Sequence, residues 1–120
     1  MHALVVDDSS VMRSYLRNTL LAMGFEVSEA RDGVAGLARL ELAPRPDVAL
    51  LDWHMPGMDG YELLKAIRAR SEFDKMAVVM VTAENDLSQI AVALDSGANE
   101  YMMKPLTREI VVEKLQMIGF

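Results

Sequence analysis

Five side chains in this sequence have the types and positions to share one chemistry. Asp7 and Asp8 follow the apolar run ALVV, Asp52 follows VALL, Thr82 follows AVVMV, and Lys104 follows YMM. An acid at the end of an apolar strand costs free energy to desolvate unless something there stabilises it. Three carboxylates in one cleft repel, and one would hold a proton unless a cation sat among them. The candidate donors are oxygens. With no cysteine in the chain, and His54 the nearby imidazole, this set favours Mg²⁺ over Zn²⁺ or copper. A Mg²⁺ ion held by one or two carboxylates keeps several waters and can exchange one for a phosphoryl oxygen. Lys104 adds a compact positive charge and Thr82 a hydroxyl donor. The set suits transfer of a phosphoryl group to a carboxylate, which acts as nucleophile and becomes an aspartyl phosphate.

Something must bring these residues together. The runs at Ala3 to Val6, Asp47 to Leu51, Ala77 to Val81 and Tyr101 to Met103 are apolar without alternation. That pattern suits strands buried on both faces, as in a parallel sheet. FEVSEA, Phe25 to Ala30, alternates and reads as a strand with one wetter face, nearer an edge. Helical patterns lie between. Val11 and Tyr15 form one row at a spacing of four, and Met12, Leu16 and Leu20 form another, with Gly24 closing that helix. Val34, Leu37 and Ala38 follow Asp32 as the expected buried face of a second helix. Asp59 and Glu62 form a capping box before Leu63, Leu64 and Ile67. Leu87, Ile90, Ala91 and Leu94 follow the cap candidates Asn85 and Asp86; Ile110, Val111, Leu115 and Ile118 follow Thr107. Five strand–helix units in sequence predict an α/β fold, an open parallel sheet with helices on both faces. Ligands in such sheets bind beyond the carboxyl ends of the strands, where all five candidates fall.

The composition narrows the field. The 120 residues fit one domain, and a hydrophobic content of 52% supports a real core. The net charge is −6 and the twelve Lys and Arg are scattered without a basic stripe, which argues against nucleic-acid binding. No apolar run is long enough to span a bilayer, and no signal peptide is visible, so a cytoplasmic protein without a membrane partner is expected.

The motifs VVDDSS, LLDWHMPGMDG, VMVTAEN and GANEYMMKP occur in that order. Together they identify a chain that resembles the receiver domains of two-component response regulators, in particular stand-alone CheY-type chemotaxis regulators. The likeness covers Ala3 to Phe120, and it implies a single receiver domain over 1–120 with the flavodoxin-like (βα)5 fold and strand order 2-1-3-4-5. It implies Asp52 as phosphoacceptor, Asp8 as direct Mg²⁺ ligand, Asp7 acting partly through water, and His54 offering its backbone carbonyl to the metal. Thr82 and Lys104 would contact the phosphoryl group, the Lys104–Pro105 bond would be cis, and Tyr101 would be the aromatic switch. A sensor histidine kinase or phosphotransfer protein is the implied donor, and a protein such as a flagellar motor switch component the implied target. Such a protein is a phosphoacceptor that promotes its own phosphorylation and dephosphorylation, not an enzyme with turnover. His54 and Glu84 would flank the hydrolytic water and modulate the lifetime of the phosphorylated state. An imidazole at the His54 position departs from the amide of better-known chemotaxis regulators.

Each residue also has an ordinary reading. Aspartates after strands often cap turns, lysines usually lie on the surface, and Tyr101 taken alone is an ordinary strand aromatic. Trp53 reads as a packing residue beside the site, and Gly57 and Gly60 as loop formers. Arg108, Glu109 and Lys114 read as scattered charges that set partner specificity, and His2 has no visible partner. Alternatives are a phosphorelay intermediate, a pseudo-receiver, a flavodoxin-like carrier and a haloacid dehalogenase-type phosphatase. The acidic set argues against the pseudo-receiver and would repel the carrier's cofactor phosphate. The phosphatase needs an aspartate two residues after the nucleophile, where this chain has His54.

Overall fold

Side-chain caps set where most of the helices begin. The computed structural model describes residues 1–83 and 87–120. Ser9 accepts from the Met12 amide to start α1 (Ser10–Ala22), and Asp32 accepts from Ala35 to start α2 (Gly33–Leu40). Asp59 and Glu62 form the expected capping box at α3 (Gly60–Arg68), and Thr107 caps α5 (Arg108–Met117). Such caps satisfy amides that lack a partner inside the helix. The cap candidates Asn85 and Asp86 of α4 (Leu87–Asp95), and Glu84 beside them, lie outside the described residues.

The strands are β1 (His2–Val6), β2 (Glu26–Ala30), β3 (Val48–Asp52), β4 (Ala77–Thr82) and β5 (Glu100–Met103). They pair in parallel in the order β2-β1-β3-β4-β5, as expected. β1, β3 and β4 are buried along their whole length, because both faces of the sheet are covered. Ala3, Val5, Val48, Leu50 and Val79 face one layer, with Leu16 and Leu20 of α1 and Val111 and Leu115 of α5. Leu4, Val6, Ala49, Leu51 and Met80 face the other, with Leu40, Leu63, Leu64, Ile67 and Ala93 of α2, α3 and α4. The alternating segment forms β2, an edge strand.

Three helix faces differ from expectation. In α1 the row Met12, Leu16, Leu20 packs inward, whereas Val11 and Tyr15 are exposed. In α2 the buried residues are Gly33, Gly36 and Leu40, Leu37 is partly buried against the core, and Val34 and Ala38 are exposed. The reason is close approach. A Cβ on Gly36 would lie 3.1 Å from Val6, so the helix backbone itself sits on the sheet. In α4, Ile90 and Ala93 turn inward while Leu87, Ala91 and Leu94 face solvent.

Candidate functional site

Strand register builds the site. Val6 pairs with Leu51, so Asp7 and Asp52, each one residue further on, end at the same level. Asp52 pairs with Val81, which brings Thr82 to the same rim; Thr82 pairs with Met103, which delivers Lys104. The pairing continues past the strands: the Trp53 amide donates to the Val81 carbonyl at 2.9 Å, and the Lys104 amide to the Thr82 carbonyl at 2.7 Å. Lys104–Pro105 is cis, as expected; Ala43–Pro44 is also cis, which was not expected.

One oxygen from each of Asp7, Asp8 and Asp52 lies within 4.8 Å of the others. Asp7 is 1% exposed and Asp52 5%, while Asp8 is exposed. Lys104 Nζ donates to Asp52 Oδ1 at 3.1 Å and stands 4.0 Å from Asp7 Oδ2. The Ser9 amide donates to Asp7 Oδ1 at 2.9 Å. Asp7 Oδ2 and the hydroxyl of Thr82, itself 2% exposed, are buried without a hydrogen-bond partner. Polar atoms left in this way are expensive unless a water, an ion or a ligand meets them.

Burial pushes the Asp52 carboxyl above its ordinary range and the charge of Asp8 adds to this; Lys104 and, last, His54 pull it back. Burial does the same to Asp7, with Asp52 and Asp8 adding, and the Ser9 amide and Lys104 opposing. The site is thus short of positive charge. Clustered carboxylate oxygens, orphaned oxygens and a chain without cysteine fit a hard divalent cation such as Mg²⁺. His54 is exposed beside this cluster.

Supporting residues were not all legible. Arg13 donates to the Asp7 carbonyl at 2.7 Å and stands 3.4 Å from Glu29, anchoring the start of the β1–α1 turn. The DDSS segment gave a hint of the Ser9 amide contact, since Asp commonly accepts from the amide two residues on. Nothing in the sequence signalled Arg13. Trp53 is buried, as expected, and stacks on Tyr61 at 5.4 Å between centroids and 2° between planes. Gly60 is more than a loop former: a Cβ there would overlap the Asp52 carbonyl, so only glycine lets α3 start against the end of β3. Gly57 has a φ of 76° and does serve loop geometry.

Tyr101 is half-buried on β5, away from the carboxylates, and packs against the core layer of α2, α3 and α4. Lys114 is not a scattered charge. Its Nζ lies 4.2 Å from the Tyr101 ring centroid and 3.4 Å from Glu100 Oε1, with 21% of its side chain exposed. Arg108 and Glu109 are exposed at the start of α5. His2 is buried and has partners: Ser28 Oγ lies 2.8 Å from its Nε2, and its amide donates to Asp47 at 2.8 Å.

Residues 3–116 match the response regulator receiver domain family. Chemotaxis protein CheY1 of Helicobacter pylori is 40% identical over 119 residues, covering 98% of this chain and 96% of the relative. Chemotaxis protein CheY of Pseudomonas aeruginosa is 41% identical over 119 residues, covering 98% and 95%. Among solved structures, the chemotaxis response regulator CheY4 of Vibrio cholerae superposes with a TM-score of 0.90 at 33% identity, covering 98% of this chain and 97% of the other. Strand order, rim chemistry and these likenesses agree, and the chain belongs to the response regulator receiver domain family, whose members are phosphorylation-activated signalling switches of two-component systems.

Proposed function

We propose that this protein is a single receiver domain over residues 1–120 that accepts a phosphoryl group on Asp52 and passes the change to a partner protein. The observation that carries the reading is the meeting of Asp52 with Asp7, Asp8 and Lys104 beside two orphaned oxygens. The donor is a sensor histidine kinase or a phosphotransfer protein. The target belongs to chemotaxis, in keeping with the relatives' names, and a flagellar motor switch component is the type of partner expected. The protein works in the cytoplasm and is not an enzyme with turnover. No helix among the described residues is long and apolar enough to cross a membrane.

The chemistry follows from the residues. An Asp52 oxygen attacks phosphorus, the P–N bond of a phosphohistidine breaks, and its electron pair stays with the imidazole nitrogen, which takes up a proton. The product is an acyl phosphate. Asp7, Asp8, Asp52 and the His54 backbone carbonyl would hold Mg²⁺, which supplies positive charge to the phosphoryl oxygens. Lys104, already at Asp52, supplies the second positive charge. Thr82 has a free hydroxyl to donate to a phosphoryl oxygen. Hydrolysis returns Asp52 when water attacks phosphorus; His54 is placed to modulate that step from the rim, and Glu84 is its expected counterpart. Output runs through the α4–β5–α5 face, with Thr82 and Tyr101 as the switch pair.

Acetyl phosphate with Mg²⁺ tests the assignment. Intact-mass analysis should show one base-labile phosphoryl group on the parent, none on Asp52→Asn, and impaired labelling or readout in Lys104→Ala. Unchanged incorporation in Asp52→Asn would refute it.

A further inference from the structure

Lys114 and Glu100 form a closed arrangement around Tyr101. Glu100 Oε1 accepts the Tyr101 amide at 2.9 Å. β5 is an edge strand, and this carboxylate satisfies an amide of Tyr101 that the edge would otherwise leave without a partner in the sheet. The same oxygen receives Lys114 Nζ at 3.4 Å, and that ammonium sits 4.2 Å from the ring centroid. The side chains of Glu100 and Lys114 are 14% and 21% exposed, so neither charge is an ordinary solvated one. A cavity of about 240 Å³ lies elsewhere, among Met1, Phe25 and Phe120; a smaller one of about 200 Å³ lies directly beside this group, lined by Tyr101, Met103, Ile110, Glu113 and Lys114. The ring therefore has open space on α5's side and a cation on its face.

We propose that Lys114 is a positioning residue that holds Tyr101 in its half-buried pose and so sets the balance of the switch before any phosphoryl group arrives. This rests on the reading of Tyr101 as the switch aromatic. Glu100 fixes the ammonium at one end, and the ring's electron-rich face holds it at the other. If Tyr101 turns inward, the ammonium loses the ring and keeps only Glu100. The contact thus favours one pose and weakens the other. A ring–cation contact of this partly exposed kind biases the pose ratio by roughly 2- to 5-fold. Such a bias is small enough for phosphorylation to overcome.

The test reads Tyr101 χ1 populations from scalar couplings in labelled protein, with and without beryllofluoride plus Mg²⁺. The parent, Lys114→Met and Lys114→Arg are compared. Methionine keeps the apolar stem against the ring and removes the charge; arginine restores a cation. The expected result is a roughly 2- to 5-fold shift of Tyr101 toward its inward pose in Lys114→Met without beryllofluoride. Lys114→Arg should return to the parent ratio. Equal χ1 populations in parent and Lys114→Met overturn the proposal, as does an equal shift in Lys114→Arg, which would mark a packing effect. Should beryllofluoride leave Tyr101 unmoved in the parent while Lys114→Met shifts it, the switch reading fails and the Lys114 contact stands.

Discussion

At the scale of single residues, the site is defined by a shortage of positive charge. Asp7 and Asp52 are buried, and burial raises both carboxyls above their ordinary range. The folded protein then binds more protons than the unfolded chain between the ordinary carboxylate range and the raised value. Stability without metal should fall as pH rises through that window and level off above it. Asp7→Asn keeps an oxygen for the Ser9 amide and removes one charge. At neutral pH in metal-free buffer it should be more stable than the parent, by roughly 0.5–2 kcal/mol, the usual span for a stabilising substitution. The gap should close on acidification and should narrow when Mg²⁺ stabilises the parent. Denaturant unfolding across pH checks this; parent stability that rises with pH through that window would contradict it. Mg²⁺ should also change the fluorescence of Trp53, the only tryptophan, which adjoins Asp52 and stacks on Tyr61. Asp8→Asn should blunt that titration, and an equal response in the variant would count against the metal site.

At the scale of elements, the strands carry the chemistry and the helix starts close it in. β1, β3 and β4 were legible because strands buried on both faces read as unbroken apolar runs. The five rim residues were legible for the same reason, since each follows such a run. The buried face of α2 was not, because Gly33 and Gly36 have no apolar signature and act through what they lack. The inward row of α1, Met12, Leu16 and Leu20, was one of two rows at a spacing of four, and spacing alone does not say which meets the sheet. Arg68 was invisible too. It donates to the carbonyls of Gly97, Phe73 and Met76 and to Asn99, tying α3 to the turns that lead into β4 and β5. Lys114 and Glu100 are ordinary surface types that only the fold brings together. Gly60 lets the start of α3 lie against the backbone of β3 at the Asp52 carbonyl. Gly60→Ala should lower stability by about 1–3 kcal/mol, as overpacking against backbone does. It should also impair phosphorylation, because β3 and α3 must separate exactly where Asp52 is held. Thermal unfolding and intact-mass labelling check both effects; an unaffected variant would contradict this role for Gly60.

At the scale of the whole molecule, one sheet joins the carboxylate rim to the face of α4, β5 and α5 through which the proposed output runs. β4 ends at Thr82 and β5 carries Tyr101, and the two strands are paired from Val79–Glu100 to Thr82–Met103. A hydroxyl drawn toward phosphorylated Asp52 would leave room at the end of β4, and Tyr101 on the neighbouring strand would turn inward. The surface of α4, β5 and α5 would then change. Phosphorylation need only bias an existing equilibrium: a coupling of about 1–3 kcal/mol alters partner affinity roughly 5- to 150-fold. Backbone amide NMR with and without beryllofluoride plus Mg²⁺ tests that coupling most directly. The parent should show shifts at Asp7, Asp8 and Asp52 and also across α4, β5 and α5, while Thr82→Ala should keep the first set and lose the second. Shifts confined to the neighbourhood of Asp52 in the parent would contradict the account.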